Sequence, residues 1–165
     1  MPNHIWQHIQ SKIIDRAAAK EFAEAARADV KTIVFTNGCF DILHYGHLHY
    51  LAEAKSLGEV LIVGVNSAAS VARLKGNHRP LNDDLTRYHL LAALECVDAV
   101  IEFSEDTPYN LIADVQPDIL VKGGDYTLAE IVGADIVLQR GGEVRSLAFL
   151  QGYSTTDLER KIKES

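Results

Sequence analysis

The sequence predicts an α/β fold in which a doubly wound parallel sheet carries helices on both faces. Three observations support this prediction. Short apolar runs alternate along the chain with longer, amphipathic segments. These runs are nearly continuous, which is typical of parallel strands that are buried on both faces. No internal repeat or low-complexity linker interrupts the pattern, and 165 residues suit one domain.

The first segment, residues 1–30, is predicted to be a helical extension of a core that spans residues 31–165. Residues 11–28 read "SKIIDRAAAKEFAEAARA", which is rich in alanine and charged residues. Ile13 and Ile14 fall near helical spacing with the apolar residues that follow them. One amphipathic helix packed on the core is therefore expected here.

The core elements follow in alternation. Strands are predicted at "KTIVFTNG", "EVLIVGVNS", "DAVIEF" and "PDILVKGGD", and two more near Ile136 and Val144. Helices are predicted at "GHLHYLAEAKSLG", "AASVARLKG", "LNDDLTRYHLLAALECV", "SEDTPYNLIADV" and "YSTTDLERKIKES". The predicted helix caps are Asn66 or Ser67, Asn82 or Asp83, Thr107 before Pro108, and Ser154 or Thr156.

Composition excludes several classes of partner. The formal net charge is −7, whereas a surface that binds nucleic acid broadly is usually basic, so no nucleic-acid partner is expected. No apolar run approaches the length of a membrane span, and the N-terminus does not resemble a signal peptide. Cys39 and Cys96 form no CxxC pair, so two free thiols and a cytoplasmic location are predicted.

Ligands of such sheets bind beyond the carboxyl ends of the strands, so the loops after Phe35, Val65, Phe103 and Val121 are the expected places for chemistry. The first of these loops opens the stretch "TNGCFDILHYGHLHYL". It contains neither GxGxxG nor GxxxxGK[ST], which leaves a dinucleotide fingerprint and a P-loop unsupported.

This stretch is open to three interpretations. His44, His47 and His49 could bind zinc, but HExxH and a close cysteine pair are absent, so no protein-bound metal is predicted. Cys39 could be a nucleophile beside histidines, although a small buried thiol is the more common fate of a cysteine. The third interpretation is a phosphate site.

The phosphate interpretation uses the glycines and the helix start. Gly38 lets the chain turn after the strand, and Gly46 lets a ligand approach the backbone. His44 precedes the predicted helix and His47 lies in its first turn, where free N–H groups and the helix dipole favour anions. Spacing alone leaves phosphate binding and simple helix capping equally open.

Further cations and turns follow along the chain. Lys75 beside Gly76 suits a phosphate contact, or is a solvated loop lysine. Arg79 and Arg87 could add positive charge, or lie exposed on the surface. "VKGGDY" ends a predicted strand in a Gly-Gly turn, which can border a base or only reverse the chain.

Near the C-terminus, "GYSTTDLERK" places hydroxyls at the start of the last predicted helix. Ser154, Thr155 and Thr156 could bind a second anion together with the free N–H groups of the helix end, or could only cap the helix. Both can hold together, since one residue caps while its neighbours bind.

Taken in order, these pieces resemble the cytidylyltransferase-like nucleotidyltransferases. "GCFDILHYGH" is similar to the family's first motif, HxGH, and Lys-Gly, an arginine, "KGGDY" and "STT" follow in the family's order. The resemblance runs from about Lys31 to Ser165. It implies a Rossmann-like fold, with His44 and His47 on the nucleotide phosphates and Lys75 on the α-phosphate.

The resemblance also assigns the remaining expected contacts. Arg87 and the last helix end would hold the β- and γ-phosphates, and the Gly-Gly turn would border the base. The expected nucleotide contacts are Thr36, Asn37, Gly38, Phe40, Gly46, Arg87, Lys122, Gly123, Asp125, Ser154, Thr155 and Thr156. The expected substrate contacts are Asp41, Asn66 and Arg79.

Within the family, "RLKG", "EDTP", "LVKGGDY" and "GGEV" most resemble the adenylyltransferases that form ADP-heptose for lipopolysaccharide or other surface glycans. ATP and D-glycero-D-manno-heptose 1-phosphate are then the substrates, and Mg²⁺ is held mainly by phosphate oxygens and water. That activity is often fused behind a sugar kinase, and because the sequence contains no kinase part, it resembles the stand-alone form. It also implies a homodimer or a higher homo-oligomer.

Two alternatives stay open at this point. A cytidylyltransferase that uses CTP and glycerol 3-phosphate, or a related phosphoalcohol, would share all of the phosphate-holding parts. A non-catalytic nucleotide-binding module is the other alternative, although simple binding does not require the full set of cationic groups. Neither base nor sugar preference follows from the residues alone.

Overall fold

The computed structural model describes residues 3–165; Met1 and Pro2, the start of the predicted extension, lie outside the described residues. One parallel six-stranded sheet has the strand order β1-β4-β3-β2-β5-β6. The strands are β1 Ile13–Ile14, β2 Ile33–Gly38, β3 Val60–Asn66, β4 Ala99–Phe103, β5 Ile119–Gly123 and β6 Glu143–Leu147.

Helices cover both faces of this sheet. They are α1 His4–Ser11, α2 Ala19–Ala28, α3 Tyr45–Lys55, α4 Ala68–Lys75, α5 Asp84–Ala92, α6 Tyr109–Val115, α7 Ala134–Gln139 and α8 Thr155–Glu164, with a 3₁₀ turn at Leu128–Glu130. Within residues 3–165, none of the helices is long and apolar enough to cross a membrane.

The core is divided by the sheet into two apolar clusters. Alternate residues of a strand point to opposite faces, so Ile33 and Phe35 of β2 pack with α2, α6 and α7, whereas Val34 packs with α3 and α5. Strand β3 is buried along its whole length. The predicted doubly wound parallel sheet with helices on both faces is therefore confirmed.

The N-terminal prediction was wrong in part. Residues 11–28 do not form one helix, because Ile13 and Ile14 pair with Val100 and Ile101 as an edge strand. β-branched residues suit a pleated edge, and Val100 also donates a backbone hydrogen bond to the Lys12 carbonyl at 2.8 Å. The N-terminal segment thus contributes a strand to the same sheet.

A second error concerns Ile136, which lies in α7 and not in a strand. A short apolar run does not distinguish the two conformations. Gly133 precedes the helix with φ 85°, and Val137 is fully buried against the sheet. The predicted strand around Val144 is confirmed as β6.

Several helix starts were predicted at the right residue. Ser67, Asp83 and Ser154 each accept a backbone N–H at the start of α4, α5 and α8. Pro108 is the cap residue of α6 itself, one position from its predicted place as the first helical residue.

The order of the strands creates a crevice for a ligand at the carboxyl ends of β2 and β5. From β2 the chain adds β3 and β4 on one side and then crosses to add β5 and β6 on the other. The order of strands therefore reverses between β2 and β5, and the loops that follow these strands separate there.

Candidate active site

A cavity of about 370 Å³ opens at the carboxyl ends of β2 and β5, within the size range of small-molecule sites. Most of the residues predicted to form the site line it: Asn37, Gly38, Phe40, Asp41, His44, Gly46, His47, Lys75, Lys122, Gly123, Ser154 and Thr155. Residues that the sequence patterns left out of the site also line it: Cys39, Tyr50, Tyr126, Phe149, Leu150 and Tyr153.

His44, Gly46 and His47 form what we call the histidine seat, at the start of α3. The two imidazole rings stack with their centroids 3.8 Å apart. Gly46 is buried between the His44 ring and Tyr153, since a Cβ at this position would lie 3.0 Å from each of them. A glycine therefore lets the His44 ring and the Tyr153 segment approach each other closely here.

The protonation of His47 is set by its surroundings. Burial, the neighbouring His44 and the ammonium of Lys75 lower the pKa of His47 to about 4, so the ring is neutral near pH 7. The backbone N–H of His44 donates to His47 Nδ1 at 3.4 Å. The proton of the neutral ring therefore lies on Nε2, which can donate to an anion in the cavity.

His44 is neutral for a similar reason. Burial lowers its pKa. Within residues 3–165, its Nδ1 is buried without a hydrogen-bond partner. Two neutral imidazoles at a helix start provide N–H donors for an anion, and because neither ring is charged they do not repel each other.

The loop below the histidine seat is shaped by Phe40. This buried residue has φ 49°, an uncommon conformation for a non-glycine residue. Its ring contacts His47 edge to face at a centroid distance of 5.5 Å. Gly38 makes room for the same ring, since a Cβ there would lie 3.0 Å from it.

Lysines supply the positive charge of the cavity. Lys75 ends α4 and is exposed, so its ammonium can move toward a bound anion. Lys122 is the penultimate residue of β5 and is half-buried, with its Nζ 5.7 Å from the Tyr126 ring centroid. Burial lowers the pKa of Lys122, because a charged ammonium is less stable away from water. A phosphate bound in the cavity could neutralise this charge.

Ser154 and Thr155 form what we call the hydroxyl seat, at the start of α8. Ser154 Oγ accepts the N–H of Asp157 at 3.0 Å, so this residue caps the helix as predicted. Thr155 lines the cavity beside it, whereas Thr156 is exposed and lies outside the lining. Tyr153 joins the two seats by packing edge to face on Tyr45 of α3, at 5.1 Å.

Aromatic side chains form walls that sequence patterns did not reveal. Phe149 rests on the Gly-Gly turn, since a Cβ at Gly123 would lie 2.7 Å from its ring, and Tyr126 flanks Gly124. Tyr50 lies at the base of the cavity and bonds Thr36 Oγ1 at 2.6 Å. Phe149, Tyr126 and Tyr153 lie in loops, where an aromatic residue carries no periodic signal, although Tyr126 ends "KGGDY" and Tyr153 directly precedes "STT".

Other predicted contacts lie off the cavity lining. Thr36 is fully buried behind Tyr50, and Asn66 is buried against Ser70 Oγ at 3.0 Å. Asp125 and Thr156 are exposed outside the lining. These residues support the walls or face solvent in this conformation.

The predicted position of Arg87 was wrong, because its guanidinium lies outside the cavity lining. The side chain is fully buried, and Nη1 donates to the carbonyls of Cys39 and Asn66, each at 2.7 Å. Nη2 pairs with Asp84. Arg87 thus holds the β2 loop to the end of β3, and the predicted contact with the β- and γ-phosphates is not supported.

Asp41 and Arg79 were predicted to contact substrate, but in the structure they contact each other. Asp41 lines the cavity wall, and its carboxylate accepts Arg79 Nη1 at 2.9 Å. Burial raises the pKa of Asp41, but hydrogen bonds from the backbone of Asn82 and Leu81 and from Arg79 outweigh it and lower the pKa overall. Asp41 is therefore a charged acceptor already occupied by protein donors.

Among residues 3–165, no group of three or more His, Cys, Asp or Glu side chains is arranged to hold a metal ion. The donors that converge on the cavity are instead N–H, ammonium and hydroxyl groups. Such a donor set fits an anionic ligand.

Comparison with known proteins agrees with this chemistry. The cytidylyltransferase-like family matches residues 35–161. A bifunctional protein HldE from Geobacter metallireducens is 52% identical over 159 residues, which cover 95% of this chain and 32% of that protein. Another from Nitratiruptor is 60% identical over 133 residues, covering 81% and 28%. This chain thus spans about a third of the length of these relatives.

Solved structures are similar as well. The lipopolysaccharide core biosynthesis protein from Thermoplasma volcanium has a TM-score of 0.60 and 33% identity, covering 75% of this chain and 99% of that one. The pantoate-beta-alanine ligase from Francisella tularensis has a TM-score of 0.58 at 19% identity, covering 93% and 78%, and shares the fold alone. With the family match across most of its length, the chain belongs to the cytidylyltransferase-like family and is a nucleotidyltransferase.

Proposed function

We propose that this nucleotidyltransferase transfers AMP from ATP to D-glycero-D-manno-heptose 1-phosphate, giving ADP-heptose and pyrophosphate. The observation that carries the proposal is the pair of seats, histidine and hydroxyl, lining one cavity together with Lys75 and Lys122. The sequence resemblance to ADP-heptose-forming adenylyltransferases supplies the identity of the sugar. The similar solved structure named for lipopolysaccharide core biosynthesis supports the same substrate class.

In the proposed reaction, an oxygen of the sugar phosphate attacks the α-phosphorus of ATP in line. The new O–P bond forms as the bond to the β-phosphate oxygen breaks, and pyrophosphate leaves. The nucleophile is already anionic, so neither a strong base nor a covalent intermediate is required. Catalysis then depends on positioning and on neutralising the charge that develops.

Each group has a defined part in this scheme. His44 and His47 donate N–H groups to the phosphates in the transition state, with Nε2 of His47 as the donor that its tautomer favours. Lys75 moves to the α-phosphate. Thr155 holds the leaving pyrophosphate through its hydroxyl together with helix N–H groups. The Ser154 hydroxyl donates to Asp157 Oδ2 at 2.8 Å, so Ser154 keeps the helix start in place.

The other side chains that line the cavity would hold the base of the nucleotide. Gly123 would border the base together with the aromatic rings of Tyr126 and Phe149. Mg²⁺ bound to phosphate oxygens and water would add charge neutralisation. As the family resemblance implies, we also expect a homodimer or a higher homo-oligomer.

A substrate panel tests the proposal. ATP and CTP are each combined with heptose 1-phosphate, glycerol 3-phosphate and other phosphoalcohols, and pyrophosphate release is measured. We expect turnover with ATP and heptose 1-phosphate. Preferred turnover of CTP with glycerol 3-phosphate would instead select the cytidylyltransferase alternative, and nucleotide binding without any turnover would overturn the catalytic proposal.

A further inference from the structure

The hydroxyl seat begins helix α8, which contributes no residue to the two apolar clusters of the core. Helix α8 has ten residues and none of them is buried. Its amphipathic face even leaves Ile162 68% exposed. Ser154 and Thr155 nevertheless line the cavity. The contact of Tyr153 with Tyr45 holds one end of this segment, and polar contacts hold the helix that follows.

One polar connection starts at Asp41, in the loop that leads from β2 to the histidine seat. Asp41 is 5% exposed and accepts the backbone N–H groups of Leu81 and Asn82, each at 2.8 Å. Asn82 Nδ2 returns a bond to the Asp41 carbonyl at 2.6 Å. The segment after α4 is thereby joined to the β2 loop.

Arg79 extends this connection to α8. Its Nη1 contacts Asp41 Oδ2 at 2.9 Å, while its Nη2 pairs with Glu159. The side chains of Arg79 and Glu159 are only 19% and 25% exposed, so water screens this pair less than a fully exposed one. Glu159 lies four residues after Thr155, on the same face of the helix.

Both ends of the guanidinium are therefore bound to carboxylates of the protein. A substrate phosphate would have to displace one of them to reach Arg79. The geometry fits a group that acts through its neighbours, in contrast to the direct substrate contact that sequence patterns predicted.

We propose that Arg79 and Glu159 are positioning residues that set the placement of the hydroxyl seat relative to the histidine seat. The connection Asp41–Arg79–Glu159 fixes α8 against the loop that carries His44. Its chemical consequence, tighter binding of the nucleotide's outer phosphates, rests on the proposed function. Its structural consequence, a fixed α8, does not.

The first test replaces Glu159 with Gln, which keeps the shape of the side chain and removes its charge. Hydrogen exchange of residues 155–164 is measured in the free protein, with Glu164→Gln as the matched control on the same helix. We expect faster exchange along α8 in Glu159→Gln alone. Unchanged exchange, or the same change in both variants, would overturn the proposal.

The second test measures nucleotide affinity by calorimetry with ATP, or with CTP if the substrate panel selects it. We expect Glu159→Gln to weaken binding roughly threefold to tenfold, as for one partly buried ion pair. The key result is a double-mutant cycle with Thr155→Ala. In the Thr155→Ala background the Glu159→Gln effect should largely disappear, because the seat through which it acts has been removed.

Independent effects of the two substitutions would show that Glu159 acts elsewhere and would overturn the positioning role. Failure of the proposed function looks different. A wild-type protein that turns over no sugar or alcohol phosphate leaves the exchange result intact, since exchange is measured without substrate. The two conclusions can therefore fail separately.

Discussion

The two seats of the cavity perform similar tasks with opposite constructions. The histidine seat follows a central strand and packs against buried Phe40, and the loop that leads to it is held by the fully buried Arg87 through the Cys39 carbonyl. The hydroxyl seat begins a surface helix without a buried residue and is connected through partly exposed Arg79 and Glu159. One is part of the core, and the other is attached to it.

This difference separates what each seat can contribute. Groups held by core packing are preorganised, which matters most where charge develops in the transition state. A seat on a surface helix depends on a few polar contacts for its position, so a change in those contacts should first alter how tightly it binds the outer phosphates. Substitutions in the first seat should therefore change kcat, and those in the second should change affinity.

The largest expected effect is on catalysis, from His47→Ala. We expect kcat to fall roughly 10²–10³-fold, as when one preorganised transition-state donor is removed. The protein should still fold, because His47 is only partly buried. Pyrophosphate release with ATP and heptose 1-phosphate measures the effect.

His49→Ala is the matched control, two residues further along the same helix. His49 is exposed and lies 4.0 Å from Glu53, away from the cavity lining. Its substitution should leave kcat unchanged. Near-normal pyrophosphate release by His47→Ala would remove the histidine seat from the mechanism.

The next effect is on stability, from Arg87→Met. This change keeps the side-chain volume but removes the donors to the Cys39 and Asn66 carbonyls. Leaving buried acceptors unpaired should lower the free energy of unfolding by roughly 2–4 kcal/mol. Urea denaturation should show a lower midpoint with an unchanged slope.

Arg160→Met provides the comparison in the attached region. Arg160 lies on α8 and pairs with Asp157 at 3.1 Å, with both side chains exposed. Its loss should change stability by less than about 0.5 kcal/mol. Equal losses in the two variants would contradict the contrast between a core-built and an attached seat.

Much of the fold was predictable because its signals are local. Apolar runs bounded by turn residues located β2, β3, β4 and β5, and polar caps located the starts of α4, α5 and α8. The errors at Ile13 and Ile136 arose where a short apolar run fits either conformation. Only tertiary pairing with β4, or packing beside Val137, decides between them.

The site was predictable where a motif fixes chemistry and spacing together, as in His44-Tyr45-Gly46-His47. It was not predictable where function depends on side-chain direction. Arg87 and Arg79 look alike in sequence as free cations, yet one is sealed in the core and the other is bound by two carboxylates. Tyr126, Phe149 and Tyr153 lie in loops, whose positions local patterns do not specify.

The last difference between the seats is pH dependence, because only the histidine seat titrates. In the folded protein the pKa of His47 is lowered to about 4 from its ordinary value of 6.5. Between pH 6.5 and pH 4, His47 is protonated in the unfolded chain but stays neutral in the folded protein. Protonation therefore favours the unfolded state, and His47 lowers the stability of the fold as pH falls through this range. Above pH 6.5 the ring is neutral in both states, so this penalty is absent.

We therefore expect His47→Gln to lose less stability than the wild type between pH 7 and pH 4.5, as measured by urea denaturation. The control Thr155→Ala should show the same dependence of stability on pH as the wild type. An identical slope in His47→Gln would mean that the histidine seat is not held neutral by its surroundings.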